Sequence, residues 1–128
     1  MPGKRVIPKG SPPPLAPYSP GMQAGNTVYV SGALPLDSKG ELIGKGDIKA
    51  QTEKVIQNIH DVLEAAGASL QDVVMNNVFL TDMKNYAAMN EVYGKYFGQN
   101  PPARYCVKCD LVKPDFLVEI ATIAVISR

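Results

Sequence analysis

PARYCVKCDLVKPDFLVEIATIAV, Pro102 to Val125, is the stretch on which the reading of this chain turns. It contains two apolar segments separated by Lys113-Pro114-Asp115, a turn signal. The spacing predicts two strands joined as a hairpin. Each carries one charge where an apolar residue is expected: Arg104 opens the first and Glu119 lies inside the second. Because strand side chains alternate between faces, Glu119 shares a face with Leu117, Ala121, Ile123 and Val125. A carboxylate on such a face is costly unless it is paired or hydrogen-bonded. Two readings stay open on these residues alone: a structural ion pair with Arg104, or a site that holds an anion and a water.

Cys106 and Cys109 form a C-x-x-C pair, which invites a redox or zinc reading. Strand geometry opposes it, since residues three apart point to opposite faces. A redox pair is normally stabilised at a helix N-terminus. A zinc site needs further ligands, and His60 is the only histidine. Two reduced cysteines and no metal are expected.

Working outward, Tyr86, Met89, Tyr93, Tyr96 and Phe97 mark the buried stripe of a helix that starts at Asp82 or Asn85 and ends near Phe97. Val73 to Leu80 (VVMNNVFL) is apolar on both faces, as an interior strand is. A longer helix, Asp47 to Ala66, carries Ile48, Val55, Ile56, Ile59, Val62, Leu63 and Ala66 at three- and four-residue steps. Asp47 is its N-cap and Gly67 its left-handed stop. His60 sits at the edge of that stripe and reads as solvated. Thr27 to Ser31 is a strand, and Gly32 permits a bulge or a close approach. Ser11 to Gly21 holds five prolines, forming a stiff irregular loop that is either a rigid connector or one that presents Tyr18 and Ser19 to a site. Lys4 to Ile7 is a short first strand.

The chain has 128 residues, expected to form one domain over 1–128, with 45% apolar and 20% charged residues. Its net charge of +1 argues against a nucleic-acid surface. No apolar run approaches the roughly 20 residues that span a bilayer. The N-terminus lacks the apolar core of a secretory signal, so a cytoplasmic location is expected. The predicted architecture is α+β: a single mixed β-sheet with two helices packed on one face. Two helices cannot cover two faces, and the strands are apolar on both. Other copies of the chain are therefore expected against the open face, with the Arg104/Glu119 region near a subunit boundary.

These residues carry a resemblance to the RidA/YjgF family of enamine and imine deaminases. It rests on APYSPG, VYVSGALPLD, AQT…VIQNI…VLEAAG, NNVFLTDMKNY and PPARYCVKC…VKPDFLVEIATIAV. PPLAPYSPG, NEVYGKYF and the closing LVKPDFLVEIA resemble the Rut-type branch, which deaminates 3-aminoacrylate in pyrimidine breakdown. Asp110 stands where that branch is expected to carry glycine. The resemblance implies a chorismate mutase-like fold assembled as a trimeric barrel, with active sites at the subunit interfaces and no cofactor. It implies Arg104 and Glu119 as catalytic residues. Tyr18, Ser31, Asn90, Arg104 and Cys106 would bind the substrate, with Cys106 contributing its backbone rather than a nucleophilic thiol. The same residues suit a general 2-aminoacrylate or 2-imino acid deaminase, or a non-catalytic carboxylate-binding module.

Overall fold

The computed structural model describes residues 3–11 and 13–127. The elements run β1 (Lys4–Val6), β2 (Gly21–Ala24), β3 (Thr27–Ala33), α1 (Ile48–Ala65), β4 (Val73–Leu80), α2 (Tyr86–Phe97), β5 (Ala103–Lys108) and β6 (Val118–Val125), with 3-10 turns at Leu70–Asp72 and Met83–Asn85. One mixed sheet contains every strand in the order β1-β2-β3-β6-β4-β5. β4 and β5 are parallel, and the other neighbours are antiparallel.

The sequence signals for α1 are met. Asp47 accepts a hydrogen bond from the Ala50 N–H, and Gly67 takes φ +78° just past the helix end. The Gly25-Asn26 turn joins β3 to β2, a strand that the sequence reading missed. Its four residues, GMQA, carry no β-branched side chain and follow directly on the proline run.

The expected hairpin is not formed. β5 follows a crossover helix and pairs in parallel with β4, while β6 inserts on the other side of β4, between it and β3. The side chains explain the arrangement. β6 is apolar on both faces and suits the sheet interior, whereas β5 carries Arg104, Tyr105 and Lys108 and suits an edge.

Both helices pack on one face. Val28, Val30, Val78, Leu80, Val118, Ile120 and Ala124 meet Val55, Ile56, Ile59 and Leu63 of α1 and Met89, Val92 and Phe97 of α2. Each large aliphatic side chain fully buried there contributes about 1.5–3 kcal/mol. Among the described residues four polar side chains are buried with their partners, Thr52 donating to the Ile48 carbonyl at 2.8 Å. Thr122 donates to Asn76 Oδ1 at 2.7 Å, and Asn76 Nδ2 donates to the Tyr93 hydroxyl at 3.0 Å. Gln51, fully buried on α1, donates to the carbonyls of Gly44 and Asp115 and accepts from the Leu117 N–H. That side chain fixes the loop leading into β6.

The opposite face has no helix over it. Tyr29, Tyr105 and Val107 stand 47%, 49% and 40% exposed there, around Ile123, Met75 and Phe79. Asn77 Oδ1 on the same face is buried, with no hydrogen-bond partner among the described residues. No helix among the described residues is long and apolar enough to cross a membrane.

Candidate active site

Arg104 pairs laterally with Asn76 of β4, and Glu119 pairs with Phe79 of the same strand. Asn76 and Phe79 are three residues apart, so the two charges point to opposite faces of the sheet. They are also two strands apart and three residues apart along the sheet, about 14 Å between backbones from standard strand spacing and rise. The ion-pair reading fails on this geometry. Arg104 forms no salt bridge among the described residues, and neither does Glu119.

Arg104 faces α2. Its Nη1 donates to Asn90 Oδ1 at 2.7 Å, and its Nη2 donates to the Tyr86 hydroxyl at 3.0 Å. Its guanidinium carbon lies 4.7 Å from the centroid of the Tyr93 ring. Tyr86, Asn90 and Tyr93 are spaced by four and three residues, so one stripe of α2 forms the cradle. All three partners are neutral. The cation is held in place while three of its five N–H groups find no partner among the described residues, enough for a bidentate carboxylate. Cys106 follows on the same face, and an open cleft is lined by Met83, Tyr86, Arg104, Tyr105 and Cys106. Burial raises the Cys106 thiol pKa, with Arg104 opposing, so the sulfur is held as a thiol rather than a thiolate.

Glu119 lies on the helix-free face, in a depression lined by Phe79, Cys109, Asp110, Leu111 and Val112. Burial raises its carboxyl pKa, and no other group contributes. The β3 backbone shifts register between Val30 and Ala33, and Gly32 in that bulge lies against the Glu119 carboxylate. Gly32 also lines a cavity of about 240 Å³ with Tyr18, Ser31, the proline loop and the Lys54–Val62 part of α1. Ser31 Oγ donates to the Ser19 carbonyl at 2.6 Å, tying β3 to the loop that carries Tyr18.

The expected site residues therefore fall into two groups. Arg104, Asn90 and Cys106 sit together at the β5 edge. Tyr18 and Ser31 sit together near Gly32, which touches Glu119. Sequence reasoning placed Tyr86 in the buried stripe, but it is 42% exposed and bonds Arg104. Its four-residue spacing from Asn90 was the available signal. His60 is exposed beside Asp61 and Glu64. Both cysteines are free thiols. Among the described residues, no three His, Cys, Asp or Glu side chains gather as metal ligands.

Comparison with known proteins matches residues 9–126 to the family model described as Endoribonuclease L-PSP. The chain is 52% identical over 124 residues to the 3-aminoacrylate deaminase RutC of Acinetobacter baylyi, covering 97% of this chain and 98% of that protein. The crystal structure of RidA from the Antarctic bacterium Psychrobacter sp. PAMC 21119 superposes with a TM-score of 0.87 at 39% identity, covering 96% of this chain and all of that one (100%). That of E. coli TdcF with bound serine gives 0.88 at 32% identity, covering 97% and 100%. Its sheet order, its two one-sided helices and these matches across nearly all its length make this chain a member of the RidA/YjgF family.

Proposed function

We propose that this chain hydrolyses the enamine or imine of a small carboxylic acid, with 3-aminoacrylate as substrate and malonate semialdehyde and ammonia as products, in pyrimidine degradation. The observation that carries the reading is the Arg104 guanidinium, oriented by Asn90, Tyr86 and Tyr93 and paired with no carboxylate among the described residues. A cation prepared in this way fits a substrate carboxylate. The activity of the Acinetobacter relative supports the choice of substrate.

The chemistry needs acid–base groups and no cofactor. A proton added to C2 of 3-aminoacrylate gives the C3 iminium. Water adds to that carbon with loss of a proton, and the resulting carbinolamine expels ammonia to leave the aldehyde. Glu119 is the group that orients water and exchanges protons with it. Burial lifts its carboxyl pKa toward the working pH, as such a task requires. Tyr18 and Ser31 line the cleft on the Glu119 side, and the backbone at Cys106 lines it on the Arg104 side.

Arg104 and Glu119 of one protomer face away from each other, so they cannot hold one small substrate between them. The site is instead composite, with Arg104 from one subunit and Glu119 from its neighbour in a homotrimer. The helix-free sheet face with Tyr29, Tyr105, Val107 and the unpartnered Asn77 Oδ1 supports this assembly. The protein acts in the cytoplasm, on a small molecule rather than on nucleic acid or membrane.

A second reading has one observation in its favour. The TdcF structure holds serine, a 2-amino acid, which suits a 2-aminoacrylate or 2-imino acid deaminase. The test supplies enzymatically generated 3-aminoacrylate and 2-aminoacrylate and follows ammonia release. Wild type should accelerate release from 3-aminoacrylate more than from 2-aminoacrylate, and Arg104→Ala and Glu119→Ala should fall to near background. Background rates for all three proteins on both substrates would refute a deaminase.

A further inference from the structure

We infer that Tyr86 is a substrate-binding and specificity residue, whose hydroxyl accepts from Arg104 and donates its own proton to the carboxylate that Arg104 holds. The inference rests on the reading of Arg104 as the carboxylate clamp. Tyr86 is the first residue of α2, projected from the 3-10 turn Met83–Asn85 toward the β5 edge. Its ring lies 5.7 Å from the guanidinium carbon and lines the same open cleft as Arg104, Tyr105 and Cys106. Its oxygen accepts from Nη2 at 3.0 Å. A phenol that accepts from a cation still has one hydrogen to give. No acceptor for it is present among the described residues. A carboxylate oxygen docked on the same Nη2 would lie beside that hydrogen.

Asn90 and Tyr86 contribute differently. The Asn90 amide oxygen takes Nη1 and holds the cation. The Tyr86 hydroxyl, exposed at the mouth of the cleft, is free to add a third donor to the bound acid. A donor aimed at an anionic oxygen makes a bond about twice as strong as one to a neutral oxygen. Tyr86 should therefore favour carboxylates over the corresponding amides.

The test uses stable ligands, so that binding is measured apart from catalysis. Propanoate, 3-hydroxypropanoate and propanamide are titrated by calorimetry into wild type, Tyr86→Phe and Arg104→Ala. Phenylalanine keeps the ring over the guanidinium and removes only the hydroxyl. Tyr86→Phe is expected to weaken both acids by about tenfold to a hundredfold, the range for a lost hydrogen bond to a charged group, and to weaken the amide, a neutral acceptor, by less. In turnover it should raise KM by a similar factor with kcat within about threefold. Unchanged acid affinity in Tyr86→Phe, with binding lost in Arg104→Ala, would overturn the role of Tyr86 and leave the clamp standing. Unchanged acid affinity in Arg104→Ala would remove the clamp and the inference with it.

Discussion

A Cβ placed on Gly32 would lie 2.0 Å from Oε2 of Glu119. The carboxylate thus occupies space that exists because residue 32 has no side chain. Gly32 is not among the glycines with positive φ, so alanine suits its backbone. Gly32→Ala should fold with little change in thermal midpoint but push the carboxylate aside. Displacements of about 1 Å cost on the order of a hundredfold in rate. Deaminase kcat beside a melting curve checks this, and wild-type kcat would show that the placement of Glu119 is immaterial.

The three hydrogen bonds of Gln51 reach Gly44, Asp115 and Leu117. Gln51→Leu keeps the volume but strands two carbonyls and one N–H next to a buried side chain. Each unsatisfied buried group costs about 1–3 kcal/mol, and water entry recovers part of that. A loss of about 2–4 kcal/mol in urea unfolding is expected. Amide exchange at Leu117 should accelerate, because its acceptor is gone.

Asn76 serves Thr122 and Tyr93 at once. Asn76→Ala should destabilise by about 2–4 kcal/mol, combining cavity and stranded hydroxyls. A double-mutant cycle with Thr122→Val should give a coupling of about 0.5–3 kcal/mol. Additive effects would mean that the two side chains do not share a bond in solution.

Tyr96 donates a hydrogen bond to Glu53, which pushes its pKa up to about 12. The folded value lies above the ordinary value of 10.0. The stabilisation from this bond is therefore complete below pH of about 10 and is lost as pH rises through about 12. Tyr96→Phe should be less stable than wild type at pH 8, and the difference should vanish toward pH 12. A difference that stays constant across that range, in unfolding midpoints or tyrosinate absorbance, would contradict the assignment.

Arg104 and Glu119 on opposite faces make a subunit-mixing experiment decisive. Arg104→Ala and Glu119→Ala are each expected to be inactive. Unfolded together and refolded one to one, they should regain activity in about a quarter of sites, those that pair an intact arginine with an intact glutamate across an interface. No recovery would place both residues in a site within one chain.

Much of this was legible in the sequence because it is local. The Asp47 cap, the α1 stripe, the Gly67 stop and the two-faced apolarity of Val73–Leu80 depend on spacing alone. The open sheet face followed from counting helices against strands. The partnering of strands did not follow: two apolar segments with a proline turn between them look like a hairpin, and nothing local reports that β4 lies between them. The same gap hid the Arg104 cradle. Tyr86 and Asn90 sit one turn apart, but their partner comes from a strand more than ten residues on, and pattern reading assigned the aromatic ring to the core. The role of Gly32 was half visible, since a glycine in a strand signals close approach without naming what approaches.

β6 is last of the strands in sequence and lies between β3 and β4 in space. Until residues 118–125 have been made, β1–β3 and β4–β5 have no pairing with each other, and both flanks of the gap expose unpaired backbone. While that gap is open, each of its two flanks is a template for misplaced strands. Closing the gap takes the β3–β6 pairing, whose partners are distant in sequence, the kind of contact that slows folding. The same event brings Glu119 against Gly32, so the strand that completes the sheet also brings in its unpaired carboxylate.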